Sequence, residues 1–129
     1  MRAIDTNVII RLLTKDDEAQ NKAAEKLIKA GDIFVSLTVI LECEWVLRSA
    51  YRFTTEQIAK GLTLFAGLPG IEMEDRIVVS NAIEWMLGGM DFADAMHLAK
   101  ADGCTAFVTF DKKLAKTAKG RSAISVEAP

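Results

Sequence analysis

The feature of this sequence that most constrains its fold is the alternation of short apolar segments with longer segments of helical periodicity. Five short segments predict strands, and helical segments separate each of them from the next. Strands joined in this way form βαβ units, in which a mostly parallel central sheet is flanked by helices. We therefore predict an α/β fold. The predicted strands are residues 2–4, 33–35, 71–73, 105–110 and 123–126.

The predicted helices are bounded by residues that commonly begin or end a helix. Thr54 and Gln57 have the spacing of a capping box, and Gly31 and the pair Gly88 and Gly89 follow the ends of two other segments. The predicted helices are residues 8–13, 17–30, 38–51, a segment that begins at 54 and ends before 68–70, 76–87, 91–101 and 112–119.

The composition, together with the lack of any internal linker, predicts one domain over residues 1–129. Half of the 129 residues are apolar, and no repeat, linker or biased segment divides them. Cys43 and Cys104 are too few and too far apart for a disulfide framework or a zinc site. Asp5 interrupts the segment where a signal peptide is apolar, and the apolar run 35–41 is too short to cross a bilayer. We expect a cytoplasmic protein without membrane contact.

The net charge of −2 gives no overall field that would attract nucleic acid, so function depends on local placement of charge. Ligands of open parallel sheets bind beyond the carboxyl ends of the strands. Asp5 follows the first predicted strand and Asp111 follows the fourth, which makes both candidates for a shared site. Each has an alternative role as the N-cap of the next helix.

Glu42 is a third candidate because it has no cation within helical reach. At 100° per residue, Glu42 and Glu44 flank the apolar stripe of residues 38–51 on opposite sides. Glu44 precedes Arg48 by four residues, which predicts a solvated ion pair. A carboxylate such as Glu42 at a core boundary needs water, a proton or a cation from elsewhere. The predicted buried stripe is Val39, Ile40, Cys43, Val46, Leu47 and Ala50.

Asp91 and Asp94 lie three residues apart on one helical face. They are either acids of a site or acids of a first helical turn, where the helix dipole favours anions and Asp91 can cap. His97, the single histidine, is predicted to be a partly buried side chain with its hydrogen bonds satisfied.

Convergence of Asp5, Glu42, Asp94 and Asp111 would bring together carboxylates that repel one another. A divalent cation with oxygen ligands, Mg²⁺ or Mn²⁺, removes that repulsion. This arrangement supports metal-assisted hydrolysis of a phosphodiester bond.

Four motifs in this order resemble those of the PIN-domain ribonucleases over essentially the whole chain. In length and motif spacing, the chain is most similar to the VapC-type toxins of prokaryotic toxin–antitoxin pairs. The motifs are Asp5-Thr-Asn, Glu42 ahead of Trp45-Val-Leu47, Asp91-Phe-Ala-Asp94-Ala, and Thr109-Phe-Asp111.

The resemblance implies a single PIN-like domain and a Mg²⁺- or Mn²⁺-dependent ribonuclease that acts as a toxin. It also implies single-stranded or tRNA-like RNA substrates, a homodimer, and neutralisation by a cognate VapB-like antitoxin. A housekeeping RNA-processing nuclease and a catalytically silent binding module of the same fold remain alternatives. The implied metal-binding catalytic acids are Asp5, Glu42, Asp94 and Asp111, with Asp91 near them and either Asp91 or Asp94 as the closer ligand. The implied supporting residues are Thr6, Asn7 and Thr109.

Two surfaces are candidates for binding partners. A basic segment follows Asp111 and is either a phosphate-binding surface or a solvated helical face. An apolar pair rimmed by arginines predicts an interface with an antitoxin or a second copy. The basic segment is Lys112, Lys113, Lys116, Lys119 and Arg121, and the predicted interface is Leu41, Trp45, Arg48 and Arg52.

Two other acidic Mg²⁺-binding folds are excluded by residues. A phosphorylated receiver domain needs an aspartate acceptor in mid-chain, but no Asp lies between Asp32 and Asp75. The motif at Asp5 lacks the second aspartate of a haloacid-dehalogenase-like phosphatase.

Overall fold

The computed structural model describes all residues from 1 to 129, which form seven helices and five short strands. The strands are β1 Arg2–Ala3, β2 Ile33–Val35, β3 Ile71–Met73, β4 Ala106–Val108 and β5 Ser125–Glu127. The helices are α1 Thr6–Thr14, α2 Glu18–Ala30, α3 Leu37–Ser49, α4 Thr55–Ala66, α5 Arg76–Leu87, α6 Phe92–Lys100 and α7 Lys112–Thr117. No helix is long and apolar enough to cross a membrane.

Every strand pair in the structure is parallel. One sheet has the order β1-β2-β3, with Ala3 opposite Phe34 and Val35 opposite Met73, and β4 pairs with β5 in a second sheet. The prediction of an α/β fold with a parallel sheet and flanking helices is confirmed. The chain divides into two compact units, Met1–Arg76 and Ile77–Pro129.

The core of the first unit lies around β2. Ile33 and Val35 are fully buried, since the middle strand of a parallel sheet is covered on both faces. Helix α1 contributes the buried residues Ile9 and Ile10 and packs against both α2 and α3. Packing of α1 on α3 sets the position of the first turn of α1 relative to the middle of α3, and both carry candidate site residues.

Helix α3 shows where the predicted buried stripe is wrong. Ile40, Cys43 and Leu47 are buried as predicted, whereas Val39 and Val46 are half-buried and Ala50 is exposed. The buried face is rotated toward Glu44, whose side chain is only 6% exposed.

The predicted Glu44–Arg48 ion pair is confirmed, but the prediction that it is solvated is wrong for Glu44. Arg48 Nε donates to Glu44 Oε2 at 2.8 Å, which compensates the carboxylate for its loss of water. The guanidinium end of Arg48 remains half exposed, so the pair lies at the edge of the core.

The second unit is built on the apolar faces of α5 and α6. Ala82 and Trp85 on α5 and Ala95 and Leu98 on α6 are buried. Strand β4 is shorter than the predicted segment 105–110 because its pairing with β5 ends as the chain turns toward α7. The last ladder-like bond runs from Thr109 N to Glu127 O at 3.0 Å.

Candidate metal-binding and nuclease site

Asp5 lies just beyond the carboxyl end of β1. Ile4 N donates to Phe34 O at 3.2 Å, so pairing with β2 holds the chain up to the residue before Asp5. Asp5 is exposed and is the N-cap of α1, where its Oδ1 accepts from Thr6 N at 2.7 Å. Capping uses one of the roughly four lone-pair positions of a carboxylate, so the cap and a metal-binding role are compatible.

Thr6 connects α1 to Glu42, the second candidate acid of this unit. Its side chain is buried, and its hydroxyl donates a hydrogen bond to Oε1 of Glu42 on α3. Glu42 is otherwise exposed, so this bond restricts a carboxylate that would rotate freely in water.

Cys43 follows Glu42 on α3 and is the buried residue next to it in sequence. Its thiol is fully buried, and burial raises its pKa to about 12, with further contributions from the charges of Glu42 and Asp5. Asp5 and Glu42 also share Thr6, whose backbone N–H donates to Asp5 and whose hydroxyl donates to Glu42. We call Asp5 and Glu42 the first acidic group.

Two further polar residues of this unit lie at the ends of elements. Asn7 is in the first turn of α1, and Glu74 directly follows β3. Asn7 is exposed and lines a groove between α1 and α2 together with Arg11 and Gln20. Glu74 follows β3, and its Oε1 accepts from Leu37 N at 3.1 Å at the start of α3. Sequence analysis did not single out Glu74, although its position after an apolar strand was a usable signal.

The second unit holds the three remaining candidate acids. Asp91 is the N-cap of α6, and its Oδ1 accepts from Asp94 N at 3.0 Å. Asp94 occupies the first turn and is half-buried. Burial raises the pKa of its carboxyl group, the charges of Asp91 and Asp111 raise it further, and His97 opposes them. We call Asp91, Asp94 and Asp111 the second acidic group.

Asp111 is held in the turn between β4 and α7. Its Oδ1 caps the helix by accepting from Leu114 N at 3.0 Å. Its own backbone N–H donates to Oγ1 of Thr109, also at 3.0 Å. Thr109 thus fixes the backbone of Asp111 rather than its carboxylate.

The capping alternative is observed for Asp5, Asp91 and Asp111, whereas Glu42 and Asp94 cap no helix. His97 is exposed, so the prediction of a partly buried histidine is wrong. Its helix packs through Phe92, Ala95, Met96 and Leu98, which turns position 97 toward solvent.

The donor chemistry of both acidic groups fits Mg²⁺ or Mn²⁺, since all the side chains are carboxylates. No group of three or more His, Cys, Asp or Glu side chains has the geometry to hold a metal ion. In proteins, Mg²⁺ commonly binds through one or two carboxylates and keeps several waters.

Both predicted partner surfaces contain exposed residues. The three lysines of α7, Lys112, Lys113 and Lys116, are exposed, as are Lys119 and Arg121. Arg121 also donates to Gly88 O at 3.2 Å.

On α3, Trp45 is 57% exposed while Leu41 is half-buried. Arg52 is exposed, and the guanidinium of Arg48 donates a hydrogen bond to Glu44.

The fold and the acids define a parallel α/β protein with carboxylates at its strand ends and helix starts. The sequence profile of the PIN domain matches residues 3–120, and the chain belongs to the PIN domain family. No curated protein sequence matches the chain significantly.

Two solved structures are similar to the chain along nearly all of its length. One is VapC20 of Mycobacterium tuberculosis, described as a toxin that cleaves the sarcin-ricin loop. It has 19% identity and a TM-score of 0.43, and the match covers 93% of this chain and 95% of that one. The other is VapBC2 of Rickettsia felis bound to a DNA fragment from its promoter. It has 17% identity and a TM-score of 0.40, and the match covers 98% of this chain and 97% of that one.

Proposed function

We propose that this protein is a metal-dependent endoribonuclease and the toxin of a type II toxin–antitoxin pair. The observation that carries the proposal is the placement of two acidic groups in a member of the PIN domain family. Acids follow β1 and β4, at the carboxyl ends of strands where parallel α/β proteins bind ligands, and Asp94 occupies the first turn of α6. We propose the toxin role because the four motifs resemble those of VapC-type proteins.

The proposed metal-binding acids are Asp5, Glu42, Asp94 and Asp111, with Asp91 as a further acid beside Asp94. A bound Mg²⁺ or Mn²⁺ supplies the positive charge that lowers the pKa of water and stabilises the leaving oxygen in phosphodiester hydrolysis. These acids are proposed to hold that charge. They are not required to act as nucleophiles.

The remaining roles belong to side chains that fix these acids. Thr6 orients Glu42 through its hydroxyl, and Thr109 fixes the backbone of Asp111. Helix capping restricts the carboxylates of Asp5 and Asp111. Asn7, which lines the groove between α1 and α2, is proposed to hydrogen-bond a metal-binding carboxylate or a metal-bound water.

The basic segment is proposed to bind phosphates of the RNA. Lys112, Lys113 and Lys116 are exposed and immediately follow Asp111. Replacing these three lysines with alanine removes counterion-releasing contacts, so RNA affinity falls and its salt dependence flattens.

The proposed partners are a VapB-like antitoxin and a second copy of this chain, both in the cytoplasm with the RNA. An exposed Trp beside an apolar residue and arginines is typical of an interface anchor. Trp45→Ala is expected to weaken the antitoxin complex without changing the melting temperature of the free protein. Retained complex formation would remove Trp45 from the interface.

The deciding experiment is cleavage of a mixed single-stranded RNA pool by the purified full-length protein with Mg²⁺ or Mn²⁺. We expect cleavage to be lost with EDTA and in Asp5→Asn. Asp102→Asn is the matched control, because Asp102 is an exposed acid of a turn outside both acidic groups. Cleavage that survives EDTA, or that is equally lost in both variants, would contradict the proposed site.

The toxin role has its own test. Expression of the chain is expected to arrest growth, and co-expression of its cognate VapB-like antitoxin should restore it. Cleavage without growth arrest would indicate an RNA-processing nuclease, and RNA binding without cleavage would indicate a silent binding module.

A further inference from the structure

Phe110 is the most exposed large apolar side chain after β4. It is 87% exposed, although full burial of a phenylalanine is worth about 1.5–3 kcal/mol. Its neighbours in sequence are fixed on both sides. Thr109 N donates to Glu127 O at 3.0 Å, and Asp111 N donates to Thr109 Oγ1 at 3.0 Å. The ring therefore projects from a restrained turn rather than from a frayed end.

The charge around Phe110 favours one class of partner. Lys112 and Lys113 follow within three residues and are exposed, and Lys116 extends the same charge along α7. An aromatic ring beside a track of lysines is the combination with which proteins bind single-stranded nucleic acid. The lysines contact phosphates and the ring stacks on a base.

We infer that Phe110 is the base-stacking platform of the RNA-binding surface, holding an unpaired nucleotide beside Asp111. This inference rests on the proposed function, because it assigns a specificity contact to the same substrate. Stacking accepts any base, since every base has a π-face. The contact therefore selects unpaired RNA over duplex RNA rather than one base over another.

The experiment measures binding of a fluorescein-labelled, mixed-sequence single-stranded RNA 12-mer by anisotropy in EDTA, so that no RNA is cleaved. Full-length protein is compared with Phe110→Leu, which keeps an apolar side chain but removes the ring, and with Phe110→Tyr. We expect Phe110→Leu to weaken binding about 5- to 150-fold, which corresponds to about 1–3 kcal/mol. Phe110→Tyr should remain within about twofold of the unmodified protein, since both rings stack.

Ile77→Leu is the matched control. Ile77 is 73% exposed in the same unit but lies outside the β4–α7 turn, and its replacement should leave binding unchanged. A 12-mer without bases but with the same phosphates separates stacking from charge. On that oligomer, Phe110→Leu should bind as the unmodified protein does. The salt dependence of RNA binding should also be unaltered in Phe110→Leu, whereas lysine replacements flatten it.

Three outcomes would overturn the inference. These are equal RNA affinity of Phe110→Leu and the unmodified protein, an equal loss of affinity for the baseless oligomer, and no measurable RNA binding by the unmodified protein. A change in sedimentation without a change in RNA affinity would assign Phe110 to a protein interface instead. The proposed nuclease activity fails separately. If the ring is needed for binding but no metal-dependent cleavage occurs, the stacking inference is supported and the nuclease proposal is rejected.

Discussion

The hydroxyl of Thr6 donates to the carboxylate of Glu42, a residue 36 positions away on another helix. The bond joins the first turn of α1 to the middle of α3, and its donor is buried while its acceptor faces water. A proposed metal-binding acid is thus held by a residue that sequence spacing does not pair with it.

Thr6→Val removes this hydroxyl while keeping the branched shape. Glu42 then loses its orientation, and we expect RNA cleavage to fall about 10- to 100-fold, as for other residues that orient metal ligands. Loss of one hydrogen bond should lower the free energy of unfolding by about 1 kcal/mol. Thr6→Ser, which keeps the donor, should retain most of the activity. Full cleavage by Thr6→Val would show that Glu42 needs no orientation from Thr6.

Asp111 has two separable roles, as a helix cap and as a proposed ligand. Asp111→Asn keeps an oxygen that can accept from Leu114 N, whereas Asp111→Ala does not. We expect both variants to lose RNA cleavage, and only the alanine variant to lose about 1 kcal/mol of stability by urea denaturation. Equal stability of the two would mean that the cap contributes nothing.

Arg48→Met leaves the buried Glu44 carboxylate without the guanidinium that donates to it. Removing one partner of a fully buried pair costs about 3–5 kcal/mol. Because Arg48 is half exposed, we expect a smaller loss of about 1–3 kcal/mol in urea denaturation. The control is Arg52→Met at an exposed position, which should change stability by less than about 0.5 kcal/mol. Equal effects of the two variants would contradict a stabilising pair.

Gly70 lies where β3 approaches the loop before β2. Its φ is +79°, and a Cβ placed there would lie 2.7 Å from the Cα of Gly31. Gly70→Ala should therefore cost more than Gly103→Ala, because Gly103 has a similar φ of +89° but nothing within 4 Å. We expect about 1 kcal/mol for the strained backbone at either site and a larger total at Gly70. Thermal unfolding of the two variants measures this difference in stability. Equal stability would show that the loop at Gly31 moves to accommodate the added Cβ at little cost.

Tyr51 donates its hydroxyl hydrogen to Asp16 Oδ2 at 2.7 Å. This bond, with a second one from Thr14, holds the pKa of Asp16 below its ordinary value. A lowered folded-state pKa stabilises the protein above the unfolded pKa of about 4, and that contribution is lost as the pH falls through the folded-state value. In Tyr51→Phe, the pKa of Asp16 measured by carbon NMR should rise toward the ordinary value.

The stability difference between Tyr51→Phe and the unmodified protein should accordingly shrink below about pH 4. The control is the same substitution in an Asp16→Asn background, where this acid-dependent part should vanish. A stability difference that is constant over pH would show that the effect of Tyr51 does not depend on the charge of Asp16.

The parts of the fold that sequence analysis predicted well are those set by local chemistry. The capping box at Thr54 and Gln57 is present, with bonds of 2.8 and 3.1 Å. Strands β2 and β3 have their predicted bounds, because their apolar runs are short and bounded by polar or glycine residues. Helix α5 also has its predicted bounds.

The parts that sequence analysis missed depend on contacts between elements. Burial of Glu44 follows from which face of α3 is covered, and exposure of His97 follows from which face of α6 is covered. Glu74 acquires its role only because β3 ends beside the start of α3. For the candidate site, residue types and strand ends were visible in the sequence, but the bond that orients Glu42 was not.

The two cysteines lie in opposite environments, and this has a practical consequence. Cys43 is fully buried in the first unit, whereas Cys104 is exposed in the second. A maleimide dye added to the native protein should react with Cys104 alone, so no cysteine needs to be removed or introduced. The natural chain thus provides one defined position for a fluorescent or spin probe with which RNA and antitoxin binding can be followed in real time.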